Sequence, residues 1–151
     1  MVIIYTDGAA LGNPGQGGYG VVLISPAHQL RKELSEGFRL TTNNRMELLA
    51  VIKGLEALKF PCQVKVFSDS KYVIDAVEKG WLQNWINKGF KGKKNEDLWL
   101  RFWKIYKRHQ VVFSWVKGHA GIPENERCDF LATQAAKNQA VLIDEFYEKL
   151  P

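Results

Sequence analysis

The chain is poor in the residues that build soft-metal and disulfide chemistry. It has two cysteines, Cys62 and Cys128, and three histidines, His28, His109 and His119, in 151 residues. The cysteines form no metal or redox spacing, and the histidines are too far apart to pair as zinc ligands. Two scattered thiols fit a reducing compartment, so a cytoplasmic location is expected. No long apolar run is present, which excludes a membrane-spanning helix. Met1 runs directly into VIIYTD with no basic, apolar leader, so export is not expected. There are no repeats and no Pro- or Ser-rich linker. At 46% apolar residues the length suits one core and not two ordinary domains.

Nucleotide-binding loops are absent too. Gly15, Gly17 and Gly20 match G-x-G-x-x-G, but the dinucleotide version needs a helix after the loop, and VVLI follows here. No G-x-x-x-x-G-K-[ST] run occurs. These glycines are expected to serve turns and a hairpin.

What is present is acid in unusual settings. Asp7 interrupts the apolar run VIIYTDG, and Asp69 ends VKVFSDS. Glu47 lies in NNRMELLAVIKGLEAL and Asp129 in ENERCDFLATQAA. Each has an ordinary explanation. Asp7 can cap a turn before Gly8, Asp69 can cap the next helix, Glu47 can answer a helix dipole, and Asp129 can pair with Arg127. Together they suggest more. An acid in a strand is costly to bury unless it is paired or binds a metal. Two acids fall at like positions on strands able to be neighbours, and two fall near helix starts. Oxygen ligands without thiols or clustered imidazoles select a hard cation, Mg²⁺ with Mn²⁺ as a substitute. Two such cations can clamp the attacking and leaving oxygens of an in-line displacement. His119, in WVKGHAGIPEN, titrates near neutrality and leads into the segment bearing Asp129, so it is a candidate for proton transfer.

Charge is uneven. Net charge is +5, yet residues 79–108 hold nine Lys or Arg against Glu96 and Asp97, a local +7 that leaves the remainder at −2. That favours a docking surface for a polyanion. Four of the five tryptophans lie in the same window: Trp81, Trp85, Trp99 and Trp103. Trp99 and Trp103 read as the core side of a helix. Trp81 and Trp85 sit on a short basic segment and can contact a sugar–phosphate backbone while lysines neutralise phosphates. Thr41, Thr42, Asn43 and Asn44 form a polar cluster just before Glu47. One of them caps the helix; together they can also read a minor groove and its 2′-hydroxyls.

Periodicity predicts three strands first (2–8, YGVVLISP, LRKELSEGFRL), then helices alternating with the strands VKVFSD and VVFSWV. The expected architecture is α/β, a mixed five-stranded sheet with helices on both faces. The last helix should open at Pro123 and run to about Lys137. The tail 139–151 is weakly helical in pattern.

In order and spacing, TDGAALGNPGQGGYG, TTNNRMELLA, FSDS, the Trp81–Lys94 region and WVKGHAGIPENERCD resemble bacterial type 1 ribonuclease H over about residues 2–138. The resemblance implies a ribonuclease H-like fold and an endoribonuclease that cuts the RNA strand of an RNA–DNA hybrid with Mg²⁺ or Mn²⁺, leaving 5′-phosphate and 3′-hydroxyl ends. It implies Asp7, Glu47, Asp69 and Asp129 as catalytic, metal-binding acids and His119 as the loop histidine. It places Asn13, Asn43 and Asn44 in the groove, Thr42 in a DNA-phosphate pocket, and Trp81, Trp85, Lys88, Lys91, Lys93 and Lys94 on a basic protrusion at about 81–95. The catalytic domain would span 1–138, followed by the tail, in a monomer. Two positions depart from the pattern. Leu40 stands where Arg is frequent, and Lys71 where Gln is common, which would turn a groove contact into a phosphate contact. Two other readings remain: a non-catalytic binding module on the same fold, and an integrase-like or resolvase-like nuclease. Competition between hybrid and double-stranded DNA separates them.

Overall fold

A computed structural model describes residues 1–118 and 121–151. Three strands come first: β1 (Val2–Ala10), β2 (Gly15–Ser25) and β3 (Leu30–Thr41). Then follow α1 (Asn43–Glu56), β4 (Gln63–Ser68), α2 (Lys71–Glu78), α3 (Trp81–Asn87), α4 (Glu96–Tyr106), β5 (Gln110–Trp115) and α5 (Pro123–Asn138). The chain closes with β6 (Ala140–Leu142) and the short α6 (Glu145–Glu148).

Among the described residues the sheet has six strands in the order β5-β4-β1-β2-β3-β6. β1, β2 and β3 form an antiparallel meander, while β4 adds parallel to β1 and β5 parallel to β4. The sheet is mixed as expected, with one strand more than the expected five. The tail supplies it. β6 pairs parallel with β3 through Gly37↔Ala140 and Phe38↔Leu142. Three residues are too few for a two-residue alternation to register, so AVL reads as nothing in particular on its own. The tail is therefore continuous with the sheet.

The glycines of the second segment also differ from expectation. Gly15, Gly17, Gly18 and Gly20 lie within β2 and not in a turn. Successive residues of a strand face opposite sides of the sheet. A Cβ on Gly17 would press on Met46 of α1, and a Cβ on Gly18 or Gly20 would press on the α5 backbone near Ala132. The absent side chains let one helix lie close on each face.

α1 is buried on nearly all sides, with Met46, Leu48, Val51, Ile52 and Leu55 fully enclosed. Its positions are apolar around the whole helix because it lies between the sheet and α4. Trp99 and Phe102 of α4 complete this side of the core, with Trp85 meeting Trp99 edge-on at 5.8 Å between ring centres.

Candidate active site

Asp7 sits inside β1, opposite Gly20 of β2. The parallel pairing of β1 with β4 ends at Tyr5↔Phe67, so two residues further along each strand bring Asp7 and Asp69 to the same end of the sheet. Glu47 enters from above. Thr42 caps α1, its side-chain oxygen accepting from the Arg45 N–H at 3.2 Å, and the first turn then projects Glu47 toward β1. Gly8 makes this approach possible, because any Cβ there would overlap the backbone of Met46 and Glu47. The TDG triplet is therefore not a turn. It is a strand acid followed by the one residue that lets a helix start rest upon it. The Gly8 N–H donates to both Asp7 Oδ1 and Glu47 Oε1, each at 2.9 Å.

Carboxylate oxygens of Asp7, Glu47 and Asp69 all lie within 4.8 Å of one another. Asp129, half-buried on α5, is near enough to raise the Asp7 carboxyl but does not join this close group of three. Asp7 and Glu47 are each only 5% exposed. Burial pushes the Asp7 carboxyl up to about 7; the contact with Glu47 pulls it back, while Asp69 and Asp129 add to the rise. Glu47 is driven well above the usual carboxylate range, first by burial and then by Asp7 and Asp69. Glu47 Oε2 is buried with no hydrogen-bond partner. Buried like charges with an orphaned acceptor are a poor structural arrangement and a good ligand set for a hard cation. The residues present fit a divalent metal ion.

His119 lies outside the described residues. Its neighbour Gly118 is described: a Cβ there would stand 3.2 Å from Asp69 Oδ2, so the chain at Gly118 lies beside this acid.

Around the acids lies the expected polar and basic surface. Asn43 and Asn44 are exposed at the start of α1, and the Asn43 N–H donates to Asn13 Oδ1 at 3.1 Å. Thr42 is spent on the cap yet also borders a groove of about 810 Å³ shared with Asn13, Leu40, Asn44, Lys93 and Lys94. Arg39 does not stand in for the missing arginine at 40, because its guanidinium grips Glu148 of α6 at 2.8–3.1 Å. On the protrusion, Trp81 is 42% exposed with Lys79 over its ring, while Trp85 is half-buried with Lys93 over its ring. Lys88, Lys91, Lys93 and Lys94 are all exposed. The loop behind them is pinned by Phe90, buried at a φ of 59° between Gly89 and Gly92. Lys71, exposed, opens α2 two residues after Asp69.

The sequence reading missed Arg45, Tyr72 and Asn95. The Tyr72 hydroxyl accepts from Asn95 Nδ2 at 3.0 Å and from Trp99 Nε1 at 2.8 Å, and Asn95 Oδ1 accepts from Arg45 Nη1 at 3.3 Å. This chain fixes the end of the basic loop against α1. Its partners are 23 to 50 residues apart in sequence, so no local pattern marks them.

The RNase H family model matches residues 1–137. The chain belongs to the RNase H family. It is 56% identical to "Ribonuclease H" of Syntrophus aciditrophicus, over 97% of this chain and 87% of that one. It is equally identical to "Ribonuclease H" of Desulforamulus reducens, over 95% of this chain and 92% of the relative. Among solved structures it is similar to LC9-RNase H1, a type 1 RNase H with the type 2 active-site motif, at a TM-score of 0.80 and 32% identity over 91% of this chain and 72% of that one. LC11-RNase H1 in complex with RNA/DNA hybrid matches at a TM-score of 0.66 and 29% identity, over 90% of this chain and 96% of the other. The bacterial RNase H assignment carries the activity with it: the enzyme hydrolyses the RNA strand of an RNA–DNA hybrid. No described helix is long and apolar enough to cross a membrane.

Proposed function

We propose that Asp7, Glu47, Asp69 and Asp129 hold two Mg²⁺ ions, replaceable by Mn²⁺, and that the RNA strand is cut there to 5′-phosphate and 3′-hydroxyl ends. The observation that carries the reading is the orphaned Glu47 Oε2 beside the oxygens of Asp7 and Asp69, all buried or half-buried within 4.8 Å. Bound cations would supply Lewis-acid stabilisation to the attacking and leaving oxygens of the displacement. The protein's part is to hold four carboxylates from β1, α1, the end of β4 and α5 in one place before substrate arrives. The Gly8 N–H orients two of them at once. His119 is the proton-moving group in this reading, and it follows Gly118, which lies beside Asp69.

Selectivity would come from the two sides of the site. Asn13, Asn43 and Asn44 offer amides to the minor groove, where only the RNA strand carries 2′-hydroxyls. Thr42, Trp81, Trp85 and the lysines at 88, 91, 93 and 94 face the DNA backbone. Residues 1–138 form the catalytic unit with its protrusion at about 81–95, and the tail 139–151 closes the sheet edge. The enzyme acts as a cytoplasmic monomer; the unpaired Cys62 and Cys128 suit a reducing compartment.

The test is cleavage of a strand-labelled hybrid with Mg²⁺ or Mn²⁺, beside single-stranded RNA, double-stranded RNA and double-stranded DNA, with Asp69→Asn as control. Cutting of the hybrid's RNA strand alone, lost in the control, is expected. Retained hybrid binding without cutting in either metal would overturn the reading.

A further inference from the structure

We propose that Asp144, in the tail, is a positioning residue for the DNA-strand side of the groove: one carboxylate holds, through Thr41 and Arg45, the two separate chain segments that carry Thr42 and Lys94. The inference rests on the ribonuclease reading above, in which those segments face the DNA backbone. It gives the tail a part in substrate affinity as well as in the sheet.

Asp144 lies between β6 and α6 and is 8% exposed. An aspartate just before a helix ordinarily caps it, but this side chain makes no such bond to α6. Its oxygens are spent on other elements. Oδ2 accepts from Thr41 Oγ1 at 2.8 Å and from Arg45 Nε at 2.6 Å, and Oδ1 accepts from Arg45 Nη2 at 2.8 Å. Thr41 is the last residue of β3 and Arg45 lies in the first turn of α1, with Thr42 between them as the cap. The other end of α6 is tied to the same strand, because Glu148 accepts from Arg39. The short helix is thus anchored at both ends beside Thr42.

Arg45 carries the hold onward to the basic loop. Its Nη1 donates to Asn95 Oδ1 at 3.3 Å, while its bonds to Asp97 and Asp144 lie at 2.6–2.8 Å. Asn95 has a φ of 66°, a left-handed conformation that a residue other than glycine keeps where its surroundings fix it. Those surroundings are Arg45 on Oδ1 and the Tyr72 hydroxyl on Nδ2. The exposed Lys93 and Lys94 directly precede Asn95, in a loop whose Gly89 and Gly92 also have positive φ. Without the Asp144 carboxylate, Arg45 is left with Asp97, and a guanidinium drawn toward Asp97 gives up its longest bond first. Thr42, Lys93, Lys94 and Asn95 line one groove together with Phe146 and Tyr147 of α6, so the tail and the DNA-facing residues share a cavity.

The experiment measures hybrid cleavage by the parent and by Asp144→Ala well below the unfolding temperature of either, with circular dichroism as the check of fold. Asp144→Ala should raise KM several-fold and leave kcat little changed, since the acids are untouched. Asp144→Asn keeps the shape and one acceptor, and should fall between. A double-mutant cycle reads the route. Asn95→Ala alone should raise KM, and adding Asp144→Ala to it should cost far less than Asp144→Ala costs the parent. Ile105→Ala, in the core at the other end of α4, is the control for lost stability and should leave KM as in the parent. Lower stability with an unchanged KM in Asp144→Ala makes the residue a structural anchor alone and overturns the proposal. An equal rise in KM for Ile105→Ala, or additive effects in the cycle, overturns it as well. If Asp144→Ala does not fold, Asp144→Asn and Thr41→Val, which removes a single contact, carry the same comparison. A parent that cuts normally beside an indifferent Asp144→Ala refutes this inference alone; a parent that does not cut refutes the ribonuclease reading as well.

Discussion

Two buried charged sites lie two residues apart on α1 and obey opposite rules. Arg45 is 1% exposed, yet every face of its guanidinium is answered. It donates to both oxygens of Asp97 at 2.7–2.8 Å and to both oxygens of Asp144 at 2.6–2.8 Å. The rings of Phe146 and Tyr147 stand 5.6 and 5.9 Å from it. Burial alone would favour the neutral form, but Asp97 and Asp144 hold it firmly charged. Glu47 is as deeply placed, and its neighbours are other acids. The hub has been balanced by the fold and joins α1, α4 and the tail. In the acid cluster, Glu47 keeps a buried oxygen with no hydrogen-bond partner beside Asp7. Buried charge of the first kind is balanced within the fold; the second kind is the arrangement expected of a ligand set.

Breaking the acid side should cost activity first. Asp69→Asn should lower kcat on hybrid by at least roughly 10²–10³-fold, with an unchanged circular dichroism spectrum. Breaking the hub should cost stability instead. Arg45→Ala leaves Asp144 and Asp97 without their partner, and urea unfolding should show a loss of about 3–5 kcal/mol.

Asp7→Asn sharpens the contrast, because here removing a charge should help the fold. The folded pKa of Asp7, about 7, lies above its ordinary value of 3.8. The folded protein therefore binds more protons than the unfolded one between those values, and metal-free stability falls as pH rises through that window. At pH 8 without metal, Asp7→Asn should be more stable than the parent by roughly 2–4 kcal/mol, and at pH 3 the difference should disappear. The smallest effect belongs to the exposed Arg39–Glu148 pair. Glu148→Gln should change unfolding free energy by less than about 1 kcal/mol.

The meeting of Asp7, Glu47 and Asp69 and the exposed basic loop were legible from sequence because residues there stand against local rules. Asp7 and Asp69 interrupt apolar runs, and the lysines between Trp85 and Asn95 have no compensating acids. The strand–helix order was legible from periodicity. The sixth strand was not, since Ala140–Leu142 is too short to show a period and pairs with β3 only through tertiary contact. The hub was hidden for another reason: Arg45 lies 52 residues from Asp97 and 99 from Asp144. The glycines of β1 and β2 looked like turn formers because close helix approach leaves the same residue type behind as a bend does.

Thermal unfolding of the parent and of Asp7→Asn at pH 8, with and without Mn²⁺, tests the central claim most directly. The parent should start lower and be raised by the metal. Asp7→Asn should start higher and respond weakly or not at all. A parent indifferent to metal, or a variant less stable than the parent in its absence, would contradict the view that these acids are held together for a cation.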